Sequence, residues 1–537
     1  MNKLMFQEKL KLVDLFSGAG GLSLGFMRTG KFELVAAAEN NRFARETYMS
    51  NHKTNNDFVM ITNVVGYDFT DLLGRFGEID LVIGGPPCQG FSNSNRQKNY
   101  MISKNNSLVK EFFRAIRELK PKAFVMENVD MFESTKHRFF DSSIDHDFVN
   151  SLGIIRTKEE VPISARQFDE FDILSIAQTP ELINSLLLPP KLRDLLRVFN
   201  KNKNNEVRCP KYIKKNGMKI CSLIEQYFSF PHDNRYGVFI GQRLQEISAG
   251  LRSNKDIVIY QVALSEIVDF QKTLVTMKEI YDNEIICEFK LSHNNLLIGE
   301  VSSYAVIDYI KAVLNGDYFQ NHTVINARWF NIPQERRRFI FAGVRSDVLF
   351  DPVQQIKLPT QPSNVLNITV ADAFFDLMPY KVSYDVVNDR GQTFNKQDKL
   401  SDYAKSLRDS DQLYNHVVTK TTEVAMERFK AIEEGDNFHS LDDNLKDTYS
   451  NPTRTQNTIY LRLKNNEPSG TVVNVRKSMW IHPRLDRAVS IREAARLQSF
   501  PDSFVFKGPK DSQYQQVGNA VPPLMAKAIA ECMLNYL

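Results

Sequence analysis

The stretch KLVDLFSGAGGLSLGFMRTG, Lys11–Gly30, decides the fold. Its opening KLVDLF is an apolar run suited to a buried strand, Gly18, Gly20 and Gly21 supply a tight turn, and LSLGFMRT has the spacing of a helix that stops near Gly30. The pattern then repeats. FELVAAAEN is a second strand, and NRFARETYMSNH is a helix with its apolar residues on one side. IDLVIGG and KAFVMENV are further buried strands on either side of the helical SLVKEFFRAIRELKP. Strands alternating with helices predict an α/β fold with a doubly wound, mostly parallel sheet. The rhythm lapses between Asp130 and about Glu300. It resumes with SYAVIDYIKAVLNG as a helix and HTVINARWF and RRRFIFAGV as strands. The expected organisation is therefore a first half-domain over residues 1–130, an insertion over 131–300 and a return to the same domain over 301–345. An irregular region follows over 346–480, and a compact helical end over 481–537.

At 537 residues the chain is long for one domain, and its 42% hydrophobic and 25% charged content is that of a globular protein. The net charge of +4 points only weakly to a nucleic-acid partner. The basic residues concentrate in RVFNKNKNNEVRCPKYIKKNGMK, Arg197–Lys219, which a solvated loop explains as well as a binding surface does. The 5 cysteines, Cys88, Cys209, Cys221, Cys287 and Cys532, are widely spaced and form no CxxC. That spacing argues against a disulfide framework and against a metal site, and it favours a reducing compartment. The amino-terminal MNKLMFQEKLKLVDLF has no signal-peptide core. No apolar run reaches the ~18 residues of a membrane span. A cytoplasmic protein is expected.

Four motifs carry chemistry. The glycine turn of DLFSGAGGLSLGF lets the backbone approach a ligand at a helix N-terminus, and Glu39 closes the next strand where a carboxylate suits a ribose diol. Together they predict an adenosine-containing cofactor, although the spacing is not that of GxGxxG. GGPPCQGFS holds Cys88 on a backbone stiffened by Pro86 and Pro87, as a directed nucleophile or as an inert buried thiol. In VMENV, Glu127 ends an apolar strand at the carboxyl edge of the sheet, where it is a ligand-facing acid or a cap. In PQERRRFIFAG, Arg336 and Arg338 lie two apart. On a strand they would share a face and could point into one cleft, or they mark a basic edge.

Taken in order, these motifs resemble a DNA (cytosine-5) methyltransferase of the bacterial restriction-modification type. DLFSGAGGLSLGF and AAAEN resemble its first two cofactor motifs, GGPPCQGFS its catalytic loop, MENV its acidic motif and PQERRRFIFAG its glutamine-and-arginine motif. SIREAARLQSFPDSF and YQQVGNAVPP complete the series, while LYNHVV, YLRL and IHPRLDR look like family framework. The resemblance implies an S-adenosylmethionine-dependent fold and transfer of that cofactor's methyl group to carbon 5 of a flipped-out cytosine in double-stranded DNA. S-adenosylhomocysteine would be the product. It implies catalytic roles for Cys88, Glu127, Arg336 and Arg338. It also implies cofactor contacts at Phe16, Gly18, Ala19, Gly20, Gly21, Glu39, Pro86, Asn519 and Val521, with Asn63 standing where the family has an aspartate. It implies a monomer, a target-recognition region within 346–480 and a cognate restriction endonuclease as companion. The basic insertion 131–300 is expected to contribute to DNA binding or target choice. The alternatives are a tRNA cytosine-5 methyltransferase, which two long variable segments disfavour, and a non-catalytic relative, which the presence of Cys88, Glu127 and Arg338 disfavours. A nuclease in the insertion is disfavoured by the lack of an acidic metal-binding cluster.

Overall fold

The computed structural model describes residues 8–87, 107–133, 137–168, 172–228, 234–253, 256–349, 355–387, 389–396, 399–449 and 452–537. They pack as two units, one of residues 8–87, 107–133 and 313–537, the other of residues 137–312.

In the first unit five parallel strands form the middle and one flank of the sheet: β1 (Leu10–Leu15), β2 (Phe32–Ala38), β3 (Val59–Ile61), β4 (Leu81–Gly84) and β5 (Ala123–Val129). β6 (Tyr318–Asn326) and β7 (Arg337–Arg345) complete it, in the order β6-β7-β5-β4-β1-β2-β3. β7 runs against both of its neighbours. The central strands are apolar on both faces because helices cover both, which is why they read as continuous hydrophobic runs. Leu12, Ile83, Val125 and Ile340 lie in a core with Phe26, Met525 and Ile529. The chain runs outward from β1 through β2 to β3, then returns and runs the other way through β4 and β5. The strand order thus reverses between β1 and β4, and ligands bind in such a crevice beyond the strand ends. Leu15 lies level there with Ala38 and Gly84, and Gly84 with Met126.

The helix Pro523–Met533 packs along the helix Gly21–Met27 and brings the end of the sequence back to its beginning. The helix Ile491–Leu497 packs against the helices Val370–Phe374 and Lys510–Asn519 and is opened by Ser490 and Glu493 in a capping box. Its Arg496 pairs with Asp502 and Asp376, all almost fully buried. Buried charge of this kind survives only when paired and hydrogen-bonded. The polar residues of IREAARLQSFPDSF are therefore largely internal scaffolding, beside a core of Phe374, Trp480, Phe500 and Tyr514.

The second unit has its own core. Four helices, Pro190–Asn202, Arg208–Phe228, Arg235–Arg252 and Gln261–Asp282, bury Leu196, Ile224, Leu244 and Leu274 among others. The strands Arg138–Phe140, Thr157–Pro162 and Cys287–Leu291 each pair antiparallel with Leu297–Ala305. That last strand corrects the expectation of a helix from Ser303. Ser303, Tyr304 and Ala305 end the strand, and the helix begins at Val306. The alternating burial of Leu297–Ser303 puts one face on the core, so sheet pairing overrides the helical spacing that follows. The unit accordingly extends to 312, beyond the expected boundary at 300. No helix among the described residues is long and apolar enough to cross a membrane.

Candidate functional site

A cavity of about 420 Å³ opens where β1, β2, β4 and β5 end. That volume is within the roughly 300–1,000 Å³ of small-molecule sites. One wall is the turn after β1, with Phe16, Gly18, Ala19 and Gly21; a second holds Glu39 and Asn63; a third comes from Gln515, Asn519, Ala520 and Val521. Gly85, Pro87 and Glu127 close it on the β4–β5 side.

Close packing explains the glycines. Gly20 has φ +93°, and a Cβ there would lie 2.1 Å from the His52 ring. Gly20 is absent from the cavity wall and acts by shaping the turn. A Cβ on Gly21 would lie 2.3 Å from the carbonyl oxygen of Val521, so this residue lets the carboxyl-terminal segment reach the cavity. Glu39 is held from two sides. Its Oε2 accepts from the Gly18 N–H at 2.9 Å and its Oε1 from the Asn41 N–H at 2.7 Å. Each carboxylate oxygen retains a lone pair for a hydroxyl. Asn63 lines the cavity, and its Oδ1 accepts from the Val65 N–H at 3.1 Å.

Glu127 is buried and its Oε1 pairs with the Arg338 Nε at 2.7 Å. In the β5–β7 register Glu127 faces Ile340 and Val129 faces Arg338, so acid and guanidinium are diagonal neighbours on one face of the sheet. Burial pushes the Glu127 carboxyl above its ordinary pKa, and the charges of Arg338 and Arg336 oppose that push. A Cβ built on Gly85 would come 3.1 Å from Glu127 Oε2, so the bare backbone at residue 85 leaves that oxygen room.

Arg336 departs from its expectation. It precedes β7 instead of lying on it, so the two-residue alternation that would align it with Arg338 does not reach it. Its guanidinium donates to the carbonyls of Val472 at 2.8 Å and of Gly518 and Ala520 at 2.9 Å each. It fastens the segment carrying Asn519 and Val521 in place. Gln334 does related work, accepting from the Val472 N–H and donating to the Leu497 carbonyl and to Gln498. Pro86 likewise does not line the cavity; its carbonyl accepts from Asn128 Nδ2 at 3.0 Å, and the neighbours Gly85 and Pro87 line it instead. Cys88 lies outside the described residues, immediately after Pro87.

Asp14 is a wall residue that the motif reading passed over. It is almost fully buried at the end of β1, accepts from the Tyr48 hydroxyl at 3.2 Å, and has its pKa pushed up to about 7, chiefly by burial. An acidic residue in the buried half of a mostly apolar strand was the available signal. Ser512, Gln515 and Gln516 also line the cavity; the resemblance pointed to Asn519 and Val521 in the same stretch but not to these three.

A family model described as C-5 cytosine-specific DNA methylase matches residues 10–151 and 297–535. The Type II methyltransferase M.DdeI of Desulfomicrobium norvegicum is 24% identical over 98% of this chain and 89% of its own length. The DNA (cytosine-5-)-methyltransferase M.ApeKI of Aeropyrum pernix is 25% identical over 99% of each. Among solved structures, a putative DNA modification methyltransferase encoded within a prophage (E. coli) superposes with a TM-score of 0.53 at 19% identity. That superposition covers 98% of this chain and 99% of the other, and it supports the fold.

Proposed function

Since the chain belongs to the C-5 cytosine-specific DNA methylases, we propose that it methylates carbon 5 of one cytosine within a specific DNA sequence, as the protective enzyme of a restriction-modification system. DNA (cytosine-5) methyltransferase is its enzyme class. The observation that carries the finer reading is one cavity that joins the glycine turn and Glu39 to the buried Glu127, itself paired with Arg338.

The donor we propose is S-adenosylmethionine. The cavity suits it: a bare turn for the backbone to approach, a fixed carboxylate at Glu39 for a ribose diol, and an amide at Asn63 for an adenine edge. When bound, it supplies a methyl group on a sulfonium, which is a good leaving group. The other steps belong to the chain and the base. Carbon 5 of cytosine is a poor nucleophile while the ring is aromatic. In the proposed sequence the Cys88 thiolate bonds to carbon 6, and electron density moves to carbon 5. Glu127 hands a proton to N3. Burial shifts the Glu127 carboxyl towards its protonated form, and the Arg338 guanidinium, which opposes that shift, holds the carboxyl in place. Carbon 5 takes the methyl group and then gives its proton to water, the bond from carbon 6 to the Cys88 sulfur breaks to restore the thiolate, and N3 returns its proton to Glu127. A stacked base offers neither ring face to these groups, so the cytosine must leave the duplex first.

Trapping tests this sequence. A duplex with 5-fluorocytosine at the target cannot lose a proton from carbon 5, so wild-type protein with S-adenosylmethionine should form a protein–DNA adduct stable to denaturing gels. Cys88→Ser should form none and should transfer no tritiated methyl. Turnover by the serine variant would end the covalent reading.

A further inference from the structure

We propose that the outer face of the helix Arg208–Phe228 is a phosphate-binding ridge that holds duplex DNA without reading its sequence. This rests on the DNA-methylating function proposed above. Lys211, Lys214, Lys215 and Lys219 recur at helical spacing and all four are exposed. The opposite face carries the buried Cys209, Ile220, Ile224 and Tyr227. With 100° between successive residues, the lysines fall within one broad arc centred away from that core.

Charge sets this surface apart from an ordinary solvated helix. Between residues 191 and 219 the sequence carries ten lysines and arginines against Asp194 and Glu206, whereas the whole chain has a net charge of only +4. The rest of the protein is therefore net negative. An acid at i+3 or i+4 would offset the charge of an exposed lysine on a helix. Here the only acid in the helix is Glu225, which pairs with Arg252, and none of the four lysines has an ion pair among the described residues. From Lys211 to Lys219 the ridge runs about 12 Å. Over that axial length one DNA strand presents roughly three to four phosphates. Lysine is a point charge on a flexible stem and serves backbone contact better than it serves base recognition.

The test is the salt dependence of binding by the full-length protein to a fluorescein-labelled duplex of random sequence, over roughly 50 to 200 mM salt. Each phosphate contact contributes about 0.9 to the slope of log K against log salt. The variant with Lys211→Ala, Lys214→Ala, Lys215→Ala and Lys219→Ala should show a slope shallower by about 3 to 4. Wild-type protein should lose roughly 100-fold more affinity than the variant across that range. Lys→Arg at the same positions should keep the slope, and Lys215→Ala alone should remove about 0.9 of it. A slope change below about 1 in the fourfold variant, beside a wild-type protein that methylates DNA, overturns the ridge and leaves the function standing. An effect on tRNA with none on duplex DNA also overturns it. A wild-type protein that methylates no DNA removes the function and the ridge together.

Discussion

Asp14→Asn isolates the effect of one buried charge. The Asp14 carboxyl has its pKa pushed from 3.8 up to about 7 because burial strips it of water, against the weaker help of Ser23 and Tyr48 and with Glu39 adding repulsion. The folded state therefore binds the Asp14 proton more tightly than the unfolded state does. Below pH 4 both states are protonated and the residue is neutral to stability. As pH rises from about 4 to 7 the unfolded chain ionises first, so folding grows costlier by about 1.4 kcal/mol per pH unit. The total reaches up to about 4 kcal/mol above pH 7. Asparagine has the same shape, can still accept from the Tyr48 hydroxyl, and does not titrate. The stability difference, variant minus wild type, should therefore climb by up to about 4 kcal/mol between pH 4 and pH 8, and then level off. The difference cancels the titrating groups that Asp14 does not touch. Urea unfolding followed by tryptophan fluorescence measures it, since the 2 tryptophans, Trp329 and Trp480, both lie in the first unit. A difference that stays flat with pH would refute the reasoning.

Two further substitutions test the cavity wall. Gly21→Ala puts a methyl group against the Val521 carbonyl and the Phe500 ring without straining φ. It should destabilise the first unit by about 1–3 kcal/mol and weaken S-adenosylmethionine binding, read by urea midpoint and isothermal titration. Arg336→Met leaves the carbonyls of Val472, Gly518 and Ala520 without their buried donor. It should cost roughly 3–5 kcal/mol and weaken donor binding in the same assays, through loosening of the segment around Asn519.

Much of the sheet was legible because parallel strands covered on both faces appear as unbroken apolar runs. LVIG and AFVM are such runs, and glycine or an acid marks where they end at the crevice. Glu39, Glu127 and the glycine turn were legible for the same reason, since strand ends converge by topology. Arg336 was not. Three successive arginines look alike in sequence, and only the residue at which β7 begins separates Arg338, which meets Glu127, from Arg336, which serves three carbonyls. Arg492 and Arg496 pose the same difficulty: a charged residue in a motif serves a ligand or a core, and burial decides between them. The strand Leu297–Ala305 was hidden because its apolar end runs directly into an amphipathic helix.

The cavity is assembled from segments at opposite extremes of the polypeptide, Phe16 to Asn63 on one side and Ser512 to Val521 on the other. A ribosome that has emitted the first five hundred residues has made a cavity that still lacks one wall. The cavity is closed only when the helix Lys510–Asn519 and the segment after it have been made and have folded back onto the turn after β1.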